Sequence, residues 1–332
     1  MRKENRMNKK IIALMLGAVV MTSTAAAASA EALPEQTAYV TQEYAASATV
    51  WNGKTTMKSG KNYVVNSDIT ISKKFYVPEN TTLTIKSGSK LTVSSKGALT
   101  VKGTLKVQSN ATLSVSGKLT LNTGKSISNS GKITFGSKAA VVLNGKLTVA
   151  KAGSVSGKPA SLSLGSKAKV NIYGKNTCAK LTTAIEKRDI KTAVNNVYKA
   201  ALVDGDLYKA LTYVYPEEQI TKADEAFKAQ GTTLRDYCKS LNSTVKDAVS
   251  AEGVGKVTSV SASVTSMKKV TKSIDSDNKA IVQAAYPSFD KIYKVSGKLT
   301  LNKDKDGGTY EVLAVLCGGT WYICPTSAYA AQ

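Results

Sequence analysis

The sequence predicts a mixed fold, a parallel β-solenoid followed by an α+β domain, and three observations carry that prediction. Small β triplets begin at Leu83, Leu91, Leu99, Leu105, Leu113, Leu119, Ile127, Ile133, Val141 and Leu147. After two steps of eight the gaps alternate between six and eight, so the pattern repeats every fourteen positions and each repeat holds two strands. From Cys178 onward the apolar residues recur at helical spacing, and alternating strands then return near the C-terminus. A period this short does not suit ankyrin, leucine-rich or propeller units. It suits coils that stack on one another and bury their inward side chains in a continuous column. Alternation alone is also compatible with hairpins, but a meander has no reason to alternate its loop lengths. The expected coil is therefore one such period, with two short strands.

The first thirty residues read as a secretory signal peptide rather than as part of the fold. Arg2, Lys3, Arg6, Lys9 and Lys10 form a basic start, Ile11 to Thr22 is a short apolar run, and Ala28-Ser29-Ala30 offers a cleavage site. The style of this leader is bacterial, and it places the mature protein outside the cytoplasm. No Cys follows the apolar run, and no later run approaches the length of a transmembrane helix. Residues 31–48 read as a flexible lead-in. Residues 49–175 form the expected solenoid and 176–332 the α+β domain. At the solenoid's start, Trp51, Tyr63, Phe75 and Tyr76 are larger than the residues of later coils, as a terminal cap requires. An aromatic carbohydrate platform is the alternative reading of the same residues.

Within the coils the triplets read apolar, polar, apolar, as in Leu91-Thr92-Val93 and Leu119-Thr120-Leu121. Successive strand side chains point to opposite sides, so the apolar pair turns inward and Thr, Ser or Lys turns outward. Gly, Asn and Ser fill the intervening corners. After Leu147 the rhythm loosens through Leu162-Ser163-Leu164 and Val170-Asn171-Ile172 to a junction at Gly174-Lys175. Ile190, Val194, Val197, Tyr198 and Ala201 then share a helical face, which Asp204-Gly205-Asp206 interrupts before a short helix to Val214. Leu234, Tyr237, Cys238, Leu241, Val245 and Val249 line another helix. Strands follow at Val260–Val264, Tyr293–Leu301 and Tyr310–Leu316. Helices followed by an antiparallel meander predict helices on one face of a curved sheet.

Two resemblances follow from these residues. Asp206-Leu207-Tyr208-Lys209-Ala210-Leu211, then Tyr215-Pro216-Glu217-Glu218, resembles the opening of bacterial secreted domains of the nuclear transport factor two-like family. Gly318-Gly319-Thr320-Trp321-Tyr322-Ile323 is similar to that family's terminal hairpin. The resemblance covers about residues 178 to 326 and implies a cone-like α+β domain that binds a small ligand, mediates association or is inert. In the minority that are enzymes, Asp and His carry catalysis, and this chain has no His. The repeat region resembles the parallel β-helix and β-roll segments of bacterial surface proteins.

Composition narrows the chemistry. Residues 51–175 hold 20 Lys, no Arg and two acids, Asp68 and Glu79. Residues 176–332 are close to balanced, with 21 basic and 17 acidic groups. Absence of His removes Ser-His and Cys-His nucleophile pairs and imidazole metal ligands. Neither a catalytic site nor a metal or cofactor site is expected. A β-helix enzyme acting on polysaccharide would have to use Asp68 and Glu79, which lie beside turn signals in the cap region. Four cysteines, Cys178, Cys238, Cys317 and Cys324, permit three pairings or none.

Lysine recurs at one place in the triplets. Lys90, Lys118, Lys132 and Lys146 each precede an inward Leu or Ile, and the last three are spaced by one full period. On two-strand coils they would form a vertical row spaced by about 4.8 Å per coil. Lys106 would lie in the neighbouring row with Thr92, Thr120, Thr134 and Thr148. These five lysines are the expected contacts for an anionic envelope or extracellular polymer. The competing reading is that lysine keeps a β-rich rod soluble and blocks edge-to-edge association, leaving a spacer that displays the C-terminal domain. Nucleic acid is not expected as a partner, because Arg is absent from the rod, aromatics are few and the address is extracellular. One Thr per strand interrupted by Lys also argues against an ice-binding face.

Overall fold

A computed structural model describes residues 48–251, 255–303 and 305–325. The signal-peptide and lead-in readings therefore fall outside the described residues, apart from Ala48. Two compact units divide at Arg188/Asp189.

The first unit is a parallel β-solenoid. Its strands stack in three sheets, sheet A of seven strands from Thr49–Val50 to Lys169–Ile172, sheet B of six from Ile69–Ile71 to Lys175–Asn176, and sheet C of five from Lys74–Val77 to Ser161–Leu164. Parallel register joins like positions of successive coils. Leu83, Leu105, Ile127 and Leu147 stack in sheet A, and Leu91, Leu113, Ile133 and Val155 stack in sheet B. These inward residues are essentially inaccessible to water. Each is worth about 1.5–3 kcal/mol relative to exposure.

The coil differs from the expected one. It contains three strands rather than two, and the stacked Leu105, Ile127 and Leu147 follow one another at intervals of twenty-two and then twenty positions. The shorter period seen in the sequence is instead an alternation of corners along the chain. Four-residue turns such as Ser94–Gly97, Gln108–Ala111 and Asn122–Lys125 close with hydrogen bonds between their first carbonyl and last amide. Two-residue corners ending in Gly103, Gly117, Gly131, Gly145 and Gly174 lie between them in sequence. Because a coil has an odd number of corners, long and short also follow one another along each edge from the Gly103 corner onward, except that the long turn Gln108–Ala111 lies on the equally long corner Lys86–Ser89. A Cβ on Gly117 would lie 2.2 Å from the carbonyl oxygens of both Ser94 and Gly97. The other four glycines meet the first and last carbonyls of the long turn in the preceding coil in the same way. Here glycine is required by the close approach of two backbones.

Both ends of this core are closed. Trp51 is 1 % exposed, donates from Nε1 to the Thr55 carbonyl at 2.7 Å, and meets Phe75 edge-on. Tyr63 is buried beneath it, while Tyr76 stays 49 % exposed. At the other end the helix α1 (Ala179–Tyr198) begins, and Cys178 and Leu181 bury in the solenoid core. Arg188 donates to the Ala168 carbonyl at 2.9 Å. The compact unit that contains the coils accordingly runs on to Arg188.

The second unit is α+β. The rest of α1 passes into a π-helical turn, Lys199–Asp204, which ends at Gly205 in the left-handed conformation. Then come α2 (Leu207–Val214), α3 (Glu217–Ala229) and α4 (Leu234–Ala251). Asp206 caps α2 by accepting from the Lys209 amide at 2.9 Å. A four-stranded antiparallel meander follows, Val260–Lys269, Phe289–Leu301, Lys305–Cys317 and Thr320–Pro325, with α5 (Ser276–Ala285) between its first two strands. Val295, Leu299, Val312 and Ala314 bury with the helices α1 to α4. Ile292, Leu313, Val315 and Cys324 bury with Val282 of α5. Both faces of the sheet are thus covered, where the sequence suggested one. Val312-Leu313-Ala314-Val315 is apolar throughout because its two faces serve two cores. All four cysteines are free; Cys178 and Cys238 belong to different cores. Cys317 is paired in register with Thr320, and Cys324 with Leu313.

Candidate functional site

Outward positions of the solenoid are the first and third residues of each strand. Parallel register turns each of them into a column running along the coils. The expected lysine row does not exist as one column. Lys90 and Lys132 lie in sheet B, Lys118 in sheet C, and Lys146 and Lys106 in sheet A. The expected Thr row divides among the three sheets in the same way. The reason is again the odd strand count, which moves every second strand to a different sheet rather than around one turn.

What forms instead is an alternation within sheets B and C, whereas in sheet A lysine enters the first position only at Lys146 and Lys169. In sheet B the first outward position reads Lys90, Thr112, Lys132, Ser154, Lys175. In sheet C it reads Lys74, Ala98, Lys118, Ala140. Lysines sharing such a column are separated by two coils, about 9.6 Å, instead of one. Like charges directly opposite on neighbouring strands are destabilising, and this spacing avoids them. Lys146 beside Lys169 in sheet A is the exception.

Lysine nevertheless recurs along the edges, where corner residues and first strand positions meet. On the edge between sheets B and C, Lys74, Lys96, Lys118, Lys138 and Lys158 occupy five successive coils, and all five are exposed. Beside them on sheet B, the third strand position is hydroxylic in every coil: Thr70, Thr92, Ser114, Thr134 and Ser156. The Thr134 and Ser156 hydroxyls are 3.5 Å apart. Sheets A and C break the corresponding column with Lys106 and Val142. Sequence reasoning missed this edge because two of its lysines begin strands and three lie in corners, so that no fixed triplet position marks them. Their even spacing, one lysine for every full coil, would have found it, given the coil length.

The two acids of the solenoid lie on the other edges. Asp68 precedes a sheet B strand and accepts from the Lys90 amide at 2.9 Å. Glu79 sits in the turn between sheets C and A, 3.6 Å from the Lys125 ammonium. Each carboxylate thus has a structural partner, and the two occupy different corners.

The second unit holds a cavity of about 420 Å³ between the π-helical turn and α4, lined by Val203, Val245, Val249 and Val257, with Asp204 and Lys246 at its polar side. Lys199 at 2.6 Å and Lys209 at 3.2 Å hold Asp204, and the Lys199 hydrogen bond keeps its carboxyl below the usual range. No cluster of three or more His, Cys, Asp or Glu suited to a metal occurs among the described residues, and none of their helices is long and apolar enough to cross a membrane.

These features define a basic parallel β-solenoid joined to an α+β unit. Comparison with family models, curated proteins and solved structures finds no match to this chain.

Proposed function

We propose that this is a secreted, non-catalytic binding protein that attaches to an anionic envelope or extracellular polymer through its β-solenoid. The observation that carries the reading is the distribution of charge. Twenty lysines against two acids face outward from a rigid scaffold, and both acids are occupied by structural partners. Ammonium groups on flexible stems act as point charges, so recognition is electrostatic and falls as salt rises. Secretion rests on the leader-like residues 1–30. The order of helices, meander and terminal Gly318-Gly319 hairpin supports a nuclear transport factor two-like reading of the second unit, although α5 on the second sheet face departs from a simple cone.

The test is co-sedimentation of the protein with polygalacturonate and with neutral dextran, at low and at physiological salt. The expected result is binding to the polyanion alone, weakening steeply as salt rises. Failure to bind any anionic polymer at low salt would leave the lysines as a solubility device and the solenoid as a spacer. Release of reducing ends or unsaturated sugars, abolished by Asp68→Asn or Glu79→Gln, would make it an enzyme instead.

A further inference from the structure

We infer that the bound polymer is a polyuronate carrying a carboxylate on every sugar, and that it lies along the edge between sheets B and C. The inference rests on the polymer-binding reading and adds to it a place and a charge spacing. Along this edge an exposed lysine recurs in each of five coils, Lys74, Lys96, Lys118, Lys138 and Lys158, with Lys73 beside the first of them. Backbone hydrogen bonding fixes the rise per coil at about 4.8 Å, close to the length of one sugar in an extended chain. The edge between sheets C and A is interrupted by Glu79, which also engages Lys125. On the edge between sheets A and B stands Asp68, and the coil spanning Gln108 to Thr112 contributes no lysine. The edge between sheets B and C alone has neither a carboxylate nor a gap.

A sugar polymer also fits better than other polyanions. The hydroxyl column Thr70, Thr92, Ser114, Thr134 and Ser156 runs parallel to the lysines, offering one donor and acceptor per coil to ring hydroxyls and carboxylates. Phosphate polymers are best gripped by the bidentate fork of Arg, which the solenoid lacks. Single-stranded nucleic acid needs aromatic platforms, and along this edge only Tyr76, in the first coil, is an exposed large aromatic.

The experiment compares titration calorimetry of wild type and two fivefold variants with polygalacturonate, with hyaluronate (one carboxylate on alternate sugars) and with polyphosphate. One variant replaces Lys74, Lys96, Lys118, Lys138 and Lys158 by Gln; the control replaces Lys86, Lys102, Lys146, Lys151 and Lys167 by Gln. All ten positions are exposed, and unchanged melting confirms folding. Wild type is expected to prefer polygalacturonate over hyaluronate at equal carboxylate concentration. The first variant should lose that preference and bind polygalacturonate roughly tenfold or more weakly, because the counterions those lysines displace are no longer released. The control should lose roughly twofold, the share owed to net charge. Equal losses in both variants would overturn the edge assignment while leaving polymer binding intact. Equal or tighter binding of hyaluronate or polyphosphate by wild type would overturn the charge-spacing assignment. If wild type binds none of the three at low salt, the underlying functional reading falls with it.

Discussion

Gly117 shows how a single residue sets the coil. Its missing side chain lets a two-residue corner settle onto the turn Ser94–Gly97, whose carbonyls would stand 2.2 Å from any Cβ. Because both obstacles are backbone, they cannot swing aside as a flexible side chain would. Gly117→Ala should therefore lower stability by about 1–3 kcal/mol, read as a reduced urea midpoint. An unchanged midpoint would mean that the short corner does not need this approach. Asn129 is a second instructive residue. It fills an inward slot that the triplet pattern reserves for an apolar side chain, yet it is buried. Its amide donates to the Ser154 carbonyl at 2.9 Å and its oxygen accepts from the Gly131 amide at 3.2 Å. Ile127-Ser128-Asn129 breaks the apolar-polar-apolar rule in sequence, but only the next coil reveals what the break satisfies.

At the scale of elements, strands were legible because their side-chain period is two and their core positions are Leu, Val or Ile. Sheet membership was not legible. A six-and-eight alternation is satisfied by any number of strands per coil, and the clue to an odd number lay in the glycines of the short corners, which require long turns beneath them. The docking of the closing helix was not legible for a different reason. Its first turn looks like the start of a new domain, yet Cys178 and Leu181 bury in the solenoid core. Leu181→Ala should cost about 2–5 kcal/mol, since a cavity opens where the stack would otherwise end. The loss should appear in hydrogen exchange of the last strands, Ser161–Leu164 and Lys169–Ile172, before it appears in the second unit. Protection lost first in α2 or α4 would assign the helix start to the other core. Helix α5 escaped notice because its short apolar stripe serves a small second core on the far face of the sheet.

For the whole molecule, two measurements are informative. The first concerns pH. Burial pushes the Cys324 thiol up to about 12 and the Cys238 thiol up to about 11, from 9.0, and raises the phenols of Tyr215, Tyr286 and Tyr310. Above pH 9 the unfolded chain releases these protons while the folded unit keeps them. The stability they lend is thus complete below pH 9 and lost as pH rises toward 12. Urea unfolding of the second unit should weaken across that window, and Cys324→Ala should flatten the decline. The second measurement concerns register. Deleting residues 105–146 joins Thr104 to Leu147, which occupies the same sheet A column as Leu105. Two whole coils disappear, and the variant should fold with its closing helix on the usual face. Deleting only residues 133–146 brings Leu147 into sheet B and shifts every later strand, so its melting temperature should fall further. If the shorter deletion is the better tolerated, the three-strand coil is wrong. Of the charged surface, its sign and location on the repeats were readable from composition; its arrangement on edges required the coil length.

The alternation of corners travels with the chain rather than around the coil, and this has a consequence for how such a gene can change. Slippage that duplicates one two-strand unit always inserts one long and one short corner, so short still follows long on every edge downstream. Packing tolerates the duplication within the alternating part of the array, beyond the corner at Gly103. What it alters is the phase at which the chain leaves the last coil, and hence where the closing helix must dock. Only gains or losses in multiples of three units restore that phase. Lineages of this protein are therefore expected to differ in length by steps of two full coils, with intermediate lengths surviving only where the closing segment has adapted to a new exit.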